Sequence, residues 1–353
     1  RDRMLGIAVP EFRLPRKIIE EEVKYIESCG IEIRYKAPID TAHTVNDLLE
    51  EGFSSVFIAA GAQATKQIGI PGEELTLEGL YYGLPFLTDI RCGEKIALNG
   101  KVIVIGGGNV AFDTARTALR VGAQDVHIYY RRGVEEMPAW KKDIEEAIEE
   151  GVIIKPFWSP QRILHDNGTV TGIEFTESKT IFEQDGTSRV ETDPEQILKV
   201  DADFIIIAVG QAPDVSFISK ESQLERSLWG SLEVDRNSLT TNVDGIFAGG
   251  DFITGPTTVI SAIASGRRAA IAIDHYLSGI TGPVRIVDEK TEFEEPAGLA
   301  LETESTEDKP RIQIKIENPE LRSKDFREVE TGFTEDQARI EAARCLRCDL
   351  EER

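Results

Sequence analysis

The clearest pattern in the chain is an apolar run that leads into consecutive glycines and then into a segment with helical character. The run from Val102 to Ile105 has no polar position, as expected of a parallel strand that is covered on both faces. Alanines and arginines beyond the glycines favour a long helix to Leu119, and Gly122 is placed to end it. A second apolar strand is predicted from Val126 to Tyr130. This order of strand, glycine turn, helix and strand predicts an α/β fold with a parallel sheet.

Small residues stand where such a turn needs them. Gly106, Gly108 and Ala111 match the G-x-G-x-x-G/A fingerprint, in which the first permits a tight turn, the second admits a phosphate and the third lets helix and strand pack closely. A helix that starts here points free N–H groups and its positive dipole end at an anion. We therefore predict a dinucleotide pyrophosphate site, against the alternative of a chance glycine turn in an ordinary α/β protein. Its predicted contacts are Gly106, Gly107, Gly108, Asn109, Val110 and Ala111.

The end of the second strand indicates which dinucleotide binds. Proteins that prefer NAD usually place an acidic residue about 20 residues beyond the glycines, whereas an arginine there accommodates the 2′-phosphate of NADP. This chain has Arg131 and Arg132 and no acid at that point. Two guanidinium groups can each offer a planar, bidentate fork to a dianion. The pattern favours NADP over NAD, and the alternative is that one arginine caps a helix or meets a surface carboxylate.

A later segment has the features of a flavin site. A short buried strand from Ile246 to Ala248 would deliver Asp251 to its carboxyl end, which is where open α/β sheets bind ligands. The carboxylate could accept hydrogen bonds from a ribityl chain, and a helix that starts just past Pro256 could face a flavin ring with its positive end. The alternative is that Asp251 only caps a helix. The predicted contacts are Gly250, Asp251, Thr257, Thr258 and Val259.

Two similar crossings suggest how the parts are joined. The strands that begin at Val56 and Phe204 are both apolar, and both end in Ala-x-Gly, at Gly61 and Gly210. Such crossings are expected where a chain leaves one dinucleotide domain for another and later returns. We therefore predict two Rossmann-like domains, one inserted in the other, with a C-terminal extension. The predicted segments are 1–83 for the first part of an FAD domain, 84–212 for an inserted NAD(P)H domain, 213–285 for the return of the FAD domain, 286–333 for an acidic linker or arm and 334–353 for a C-terminal helix.

Composition and charge narrow the class of protein. The 353 residues leave room for two domains with proper cores, and the net charge of −23 argues against a nucleic acid partner because a phosphate backbone would be repelled. No apolar run approaches the ~18 residues of a membrane span, and the first residues lack the layout of a signal peptide. Four cysteines are too few for a disulfide framework. These observations predict a cytoplasmic enzyme without a membrane span.

Several motifs together carry a resemblance to a known family. They are Val9 to Pro15, Ala59 to Gly61, Gly106 to Asp113, Tyr130 to Arg132 with Met137 and Pro138, and Gly249 to Asp251 with Thr258 to Gly266. From about Gly6 to Gly279 the chain resembles the small (beta) subunit of NADPH-dependent glutamate synthase and related reductases of the pyridine nucleotide-disulfide type. The resemblance implies FAD in the flanking domain, NAD(P)H in the inserted domain, hydride transfer to flavin N5, and onward transfer of electrons to iron–sulfur clusters and a partner subunit. It adds the cofactor contacts Arg13, Leu14, Pro15, Ala60, Gly61 and Gly210.

The chain departs from that family pattern at its beginning. The family's FAD domain opens with its own strand and G-x-G-x-x-G loop well before the Pro-x-Phe-Arg-Leu-Pro segment, whereas this sequence has only nine residues before Pro10. The cluster-bearing cysteines that the resemblance places further upstream are absent too. We expect a fragment of a longer polypeptide, because a core without its first parallel strand exposes apolar surface and open sheet edges. The alternatives are that FAD binding is lost or is completed by another chain.

The last part of the chain carries a candidate metal-binding pair. Thr334 and Gln337 form a capping box, which predicts a helix from there to about Arg347. Cys345 and Cys348 share one face of that helix and have the C-x-x-C spacing of iron–sulfur and zinc sites. Two thiolates make half a site, so further ligands would come from missing residues or another chain. The alternatives are a free dithiol on an exposed helix and a thioredoxin-like redox pair.

Other segments are given structural predictions without chemistry. Residues 311–316 alternate like a strand, and residues 151–200 read as a β-meander inside the nucleotide domain. The predicted hairpin turns of the meander are Asn167-Gly168 and Asp185-Gly186. The residues predicted to serve packing are Cys29, Cys92 and His127.

Three functions remain open at this point. The first is an NAD(P)H-dependent flavoprotein oxidoreductase that serves as the electron-transfer module of a larger complex, with iron–sulfur or flavin subunits as its partners. The second is a nucleotide-binding subunit without flavin. The third is a docking subunit whose acidic tail and terminal helix hold an assembly together. In the first, the cofactors carry the hard chemistry, so no catalytic side chain is predicted.

Overall fold

The computed structural model of the protein describes residues 4–183, 187–219, 222–280 and 310–343. Its helices are α1 (Met4–Ile7), α2 (Arg16–Ser28), α3 (Val45–Glu50), α4 (Gly83–Cys92), α5 (Asn109–Arg120), α6 (Lys141–Glu149), α7 (Asp251–Thr254), α8 (Val259–Leu277), α9 (Pro319–Arg322) and α10 (Glu335–Ala343). Its strands are β1 (Val56–Ile58), β2 (Ala64–Thr65), β3 (Leu80–Tyr82), β4 (Lys101–Ile105), β5 (Asp125–Tyr130), β6 (Ile153–Pro156), β7 (Trp158–Asp166), β8 (Thr169–Phe182), β9 (Ser188–Asp201), β10 (Phe204–Ile207), β11 (Gln211–Ala212) and β12 (Ile246–Ala248).

A five-stranded parallel sheet carries the glycine turn. Its strand order is β3-β10-β4-β5-β6, and every neighbouring pair is parallel. Helices α4, α5 and α6 pack on one face, and strands β7 to β9 cover the other. Both faces are therefore dry, which explains why β4 and β10 are apolar without alternation. The predicted helix after the glycines and the two predicted strands around it are confirmed.

The segment predicted as a β-meander forms that second covering layer. Strands β7, β8 and β9 pair antiparallel in chain order. Asn167 and Gly168 form the first turn with φ of +48° and +86°, and a two-residue hairpin turn with positive φ at both positions favours Asn-Gly. Phe175 of β8 stacks on Tyr129 of β5 with ring centroids 4.2 Å apart, which joins the meander to the sheet. The predicted turn at 185–186 lies outside the described residues.

A smaller parallel pair, β1 with β12, lies in a separate sheet with its own core. The predicted strand from Ile246 to Ala248 is confirmed. The two Ala-x-Gly crossings lead into strands that pair with each other, because β2 runs antiparallel to β11 with Thr65 opposite Gln211. The chain therefore leaves and re-enters this part of the molecule at one place. The boundaries proposed at 84 and 212 stay a prediction, and β3, which precedes them, already belongs to the five-stranded sheet.

The C-terminal segment returns to the N-terminal segment and to α6. The backbone N–H of Val329 donates to the carbonyl of Phe12 at 3.0 Å, and Lys142 meets Glu330 at 2.5 Å. The predicted strand at 311–316 is wrong, since its only pairing among the described residues is an isolated bridge from Ile316 to Glu330. Ion pairs and single backbone hydrogen bonds hold this arm. The alternation of polar and apolar residues at 311–316 therefore does not reflect a strand in a sheet.

The helix predicted at the C-terminus begins as expected. The backbone N–H of Thr334 donates to Gln337 Oε1 at 2.9 Å, and the N–H of Gln337 donates to Thr334 Oγ1 at 3.2 Å. This reciprocal pair is the predicted capping box, and α10 follows it directly. Cys345 and Cys348 lie outside the described residues.

Candidate functional site

The glycine turn after β4 is closed on its inner side and open at its mouth. A Cβ on Gly106, whose φ is +148°, would lie 2.2 Å from the carbonyl oxygen of Ala208. A Cβ on Gly107 would lie 2.6 Å from the ring of Tyr130. At Gly108 the nearest atom to such a Cβ is 3.9 Å away, so the space in front of the helix is free. The turn therefore has the shape of a backbone cradle for an anion.

Helix α5 begins at this cradle, with Gly108 as its N-cap. The first turn of a helix leaves backbone N–H groups without intrahelical partners, and here they face the open mouth. Asn109 Oδ1 accepts from the backbone N–H of Trp140 at 3.0 Å, which ties the turn to the start of α6. The small side chain of Ala111 lies 3.3 Å from where a Cβ of Gly106 would be, so a larger residue would push helix and strand apart. The six residues predicted to contact a pyrophosphate thus form one continuous turn.

Arg131 and Arg132 lie at the same edge of the sheet as the cradle. Tyr129 of β5 is opposite Ile105 of β4, so both strands end side by side. Two hydrogen bonds fix the backbone of these arginines. Ser178 Oγ donates to the carbonyl of Arg131 at 2.8 Å, and the N–H of Phe157 donates to the carbonyl of Arg132 at 3.2 Å.

The two guanidinium groups themselves remain available. Within the part of the chain that the structure describes, neither forms a salt bridge with a carboxylate. Arg131 is exposed, whereas Arg132 is half-buried and its Nε is a buried donor without a hydrogen-bond partner. A dianionic group at this edge would meet two cations without a salt bridge to a described carboxylate, although Glu136 is near enough to interact electrostatically with Arg132. Two such cations suit a 2′-phosphate.

Asp251 directly follows the turn after β12, at the start of α7. Its Oδ1 accepts from both the backbone N–H of Thr257, at 3.0 Å, and the hydroxyl of Thr257, at 2.7 Å. The carboxylate therefore orders the loop before α8, and it does not cap that helix. The cap of α8 is Thr258, whose hydroxyl accepts from the N–H of Ser261 at 3.3 Å. Gly250 has φ of +63° and open space at its Cβ position, so the strand end is accessible to a ligand.

Further predicted cofactor contacts lie in the two crossings and in the first turn of α8. Gly61 and Gly210 both have positive φ, +72° and +117°, where the chain turns out of β1 and after β10. The carbonyl of Gly210 accepts from the N–H of Lys66 at 3.2 Å, so the two crossings are hydrogen-bonded to each other. Val259 and Ile260 at the start of α8 are exposed apolar side chains.

Arg13, expected among the cofactor contacts, is engaged by protein carboxylates. Its guanidinium bonds Asp113 of α5 at 2.8 Å and Asp143 of α6 at 2.9 Å. The carbonyl of the next residue, Leu14, accepts from buried Arg91 at 2.9 Å. Burial raises the pKa of Asp113 to about 6, against the opposing attraction of Arg13. The segment that includes Arg13, Leu14 and Pro15 is thus fastened to the helices behind the cradle.

A buried ionic cluster, here called the α5–α6 clamp, was missed by the sequence analysis. It comprises Arg116, Arg120, Glu146, Glu150 and Arg322. Glu150 is fully buried and meets Arg116 at 2.7 Å, Arg120 at 2.6 Å and Arg322 at 3.0 Å. Burial alone would raise the pKa of Glu150, but hydrogen bonds from Arg120 and Arg116 hold it below its ordinary value. The sequence does contain a sign of this cluster: Arg116 and Arg120 are four residues apart on α5, and Glu146 and Glu150 are four residues apart at the end of α6.

The predictions for the cysteines and for His127 have different outcomes. Cys29 and Cys92 are exposed, so the prediction that they serve packing is wrong. His127 is buried in β5 and bonds Asp125 at 2.7 Å, as a packing residue would. The described residues hold no group of three or more side chains that could ligate a metal. Nor do they include a helix with the length and apolar character needed to cross a bilayer.

Comparisons with known proteins agree with this architecture. A family model described as pyridine nucleotide-disulphide oxidoreductase matches residues 11–266. The NADP(+)-dependent formate dehydrogenase subunit beta of Moorella thermoacetica is 38% identical over 351 residues, which are 98% of this chain and 49% of that protein. The NADPH-Fe(3+) oxidoreductase subunit beta of Geobacter sulfurreducens is 32% identical over 377 residues, covering 98% of this chain and 55% of that protein. The chain thus spans about half the length of these curated relatives.

A solved structure supports the fold. Mycobacterium tuberculosis FprA in complex with NADPH is similar with a TM-score of 0.63 at 17% identity, over 78% of this chain and 75% of that one. At this identity the likeness concerns the fold alone. Together with the family match, it confirms the predicted α/β fold with two dinucleotide-binding domains.

Proposed function

The chain belongs to the pyridine nucleotide-disulphide oxidoreductase family, and from that premise we propose that it is the NADPH- and FAD-binding electron-transfer module of a larger iron–sulfur complex. In this proposal the cradle at residues 106–111 binds the NADPH pyrophosphate and Arg131 with Arg132 binds the 2′-phosphate. Residues 250–259 and the crossing glycines bind FAD. The observation that carries the proposal is a pair of arginines beside an open glycine turn, neither of which forms a salt bridge with a described carboxylate.

The chemistry divides between cofactors and protein. Nicotinamide and flavin supply hydride transfer when bound, and the protein binds and orients them. Backbone N–H groups at the start of α5 hold an anion, the arginines select the phosphorylated ribose, and Asp251 presents a carboxylate at the strand end. The names of both relatives support NADP as the nucleotide.

The partners and location are part of the same proposal. Both relatives are named as beta subunits, which supports an assembly with other redox subunits that carry iron–sulfur clusters or flavin. We place that assembly in the cytoplasm, a location that agrees with two free, exposed cysteines among the described residues. Subcellular fractionation with an antibody against the chain tests the location.

The nucleotide assignment is tested by removing both arginines. In the full-length protein, the double substitution Arg131→Ala and Arg132→Ala should raise the Kd of NADPH about tenfold or more, because charge-assisted hydrogen bonds to a phosphate contribute ~1.5 to 3 kcal/mol. The Kd of NADH, which has no 2′-phosphate, should change far less. Fluorescence titration of both cofactors measures the two constants.

A matched control separates this effect from a general loss of positive charge. Arg226 and Arg236 are exposed and, like Arg131 and Arg132, form no salt bridge with a described residue, but they lie in the segment before β12. Arg226→Ala with Arg236→Ala should leave both constants unchanged. Equal losses for NADH and NADPH in the Arg131/Arg132 variant would refute the assignment of NADPH.

A further inference from the structure

The turn from Arg226 to Leu232, here called the Leu-Trp turn, displays two large apolar side chains to solvent. Leu228 and Trp229 have relative exposures of 102% and 92%, higher than any other large apolar residue in the described part of the chain. Leu232, at the base of the same turn, is almost completely buried in the core beneath β1 and β12. The tip therefore projects from an anchored base.

The backbone of this turn is ordered by its own hydrogen bonds. The N–H of Ser227 donates to the carbonyl of Ser231 at 2.9 Å, and the N–H of Gly230 donates back to the carbonyl of Ser227 at 3.0 Å. Gly230 has φ of +85°, which suits a glycine in a tight turn. Arg226 and Leu232 form an antiparallel bridge below it. Since the tip is already ordered, binding through it costs little conformational entropy.

Exposure of Leu228 and Trp229 to water is energetically unfavourable. Burial of a large apolar side chain contributes about 1.5 to 3 kcal/mol, and neither Leu228 nor Trp229 gains this in the chain as described. Tryptophan is enriched among the residues that dominate protein–protein binding, typically where it fills a pocket on the partner. An ordered convex tip that carries Leu and Trp has the properties of such an anchor.

We propose that the Leu-Trp turn inserts into an apolar pocket with a basic rim on another subunit of the complex, an inference that rests on the proposed function. The net charge of −23 favours a basic rim, and beside the tip the two acids Glu225 and Glu233 outnumber the one exposed cation of the turn, Arg226. The same charge repels a second copy of this chain and an anionic lipid surface. A symmetric contact between two copies would also bring two convex tips together, and these are not complementary.

The test uses the native complex, purified through a tag on this chain and with its subunits identified by mass spectrometry. With photoreactive benzoylphenylalanine in place of Trp229, illumination should cross-link this chain to another subunit, at an apolar site bordered by Lys or Arg. Leu228→Ser with Trp229→Ser should weaken association with that subunit at least tenfold in native mass spectrometry or analytical ultracentrifugation. Phe182→Ser is the control, because Phe182 is 72% exposed in the meander and should leave association unchanged.

Each alternative outcome has a defined meaning. A cross-link to a second copy of this chain, to lipid or within the same chain overturns the proposal, and so does unweakened association of the double variant. NADPH-dependent reduction of an artificial dye is measured on the same preparations and should be equal in wild type and both variants. If the wild type does not reduce the dye, the proposed function fails, whereas the cross-link still reports where the turn docks.

Discussion

Asp113 is a carboxylate about one turn into the helix that follows the cradle, and it is almost completely buried. Burial raises its pKa to about 6, whereas an unfolded aspartate titrates near 4. Between these two values the folded state binds a proton that the unfolded state has released. The contribution of Asp113 to stability is therefore complete below pH ~4 and is lost as the pH rises through ~6.

Substitution by asparagine should isolate that titration. The free energy of unfolding of the wild type minus that of Asp113→Asn should fall by about 3 kcal/mol between pH 4 and pH 7, at ~1.4 kcal/mol per unit of pKa difference. Urea unfolding across this range measures it. Asp166→Asn, on the exposed hairpin turn, should give a difference that hardly changes over the same window. A difference that rises with pH for Asp113 would contradict the assignment.

Asp251 makes the flavin proposal testable at a single residue. Oδ1 is occupied by Thr257, and Oδ2 has no hydrogen bond with a described residue, so one oxygen is available to a ribityl hydroxyl. Asp251→Ala in the full-length protein should raise the Kd of FAD about tenfold or more and leave NADPH binding unchanged. Flavin absorbance after gel filtration measures retention. Asp244→Ala, an exposed acid just before β12, is the control, and equal flavin retention in both variants would make Asp251 purely structural.

Single residues differ in how far the sequence predicts them. The glycines of the cradle follow from local sterics, because a Cβ at Gly106 or Gly107 meets atoms that any such turn brings close. Arg13 was expected beside a cofactor, but its partners Asp113 and Asp143 are 100 and 130 positions away. A side chain whose partners lie that far along the chain cannot be assigned from a local pattern.

The elements next to the cradle are joined by the α5–α6 clamp. Phe12 lies under two guanidinium groups, with Arg120 Cζ 3.9 Å and Arg116 Cζ 4.8 Å from the ring centroid. Arg322 of α9 enters from the C-terminal arm and meets Glu150. One buried ionic group thus joins the N-terminal segment, α5, α6 and the arm. Each charge in this group is stabilised by an opposite charge beside it.

Removal of the central carboxylate should destabilise the protein strongly. Glu150→Gln keeps the size of the side chain but leaves three buried arginines without their shared anion, and breaking a buried pair costs about 3 to 5 kcal/mol. Glu149→Gln is the matched control, because Glu149 is 56% exposed and among the described residues pairs only with Arg322. Arg322 keeps its buried contact with Glu150 in this variant, so the loss should be smaller. Urea unfolding compares the two, and similar midpoints would mean that the clamp does not stabilise the fold.

Secondary structure near the cradle was predictable because its causes are local. Unbroken apolar runs at β4 and β10 reflect burial on both faces, and the Asn167-Gly168 turn reflects the positive φ of its residues. The arm at 311–316 instead alternates between polar and apolar residues, yet its only pairing among the described residues is a bridge at Ile316. Its described contacts come from later residues, because the N–H of Thr331 donates to the carbonyl of Lys315 at 3.1 Å and Glu341 accepts from the N–H of Ile312 at 3.0 Å. Alternation alone does not say whether a neighbouring strand exists.

At the scale of the molecule, the family match and the topology describe the same arrangement. Two parallel sheets are connected by crossings that pair with each other, β2 with β11, so the strand ends that carry the cradle and Asp251 belong to two units joined by a double connection. The prediction of one unit inserted in the other rested on the repeated Ala-x-Gly segments. No local pattern in the sequence indicates an electron acceptor.

The last prediction concerns Cys345 and Cys348, which follow α10. Arg339 on this helix pairs with Glu335, one turn nearer the start of the helix, at 2.7 Å. The sequence predicts that the helix continues to about Arg347, and the negative dipole end of a helix disfavours thiolates. On that prediction, a bound cation or cluster with ligands from elsewhere is needed to hold them. We expect the native assembly to carry an iron–sulfur cluster at these cysteines and the chain alone to bind no stoichiometric iron.

Cys345→Ser with Cys348→Ser should remove one cluster's iron and its low-temperature electron paramagnetic resonance signal. The control is Cys29→Ser with Cys92→Ser, at exposed free thiols, which should leave both the iron content and the signal unchanged. Identical iron content and spectra in all three assemblies would show that this pair is not a ligand set.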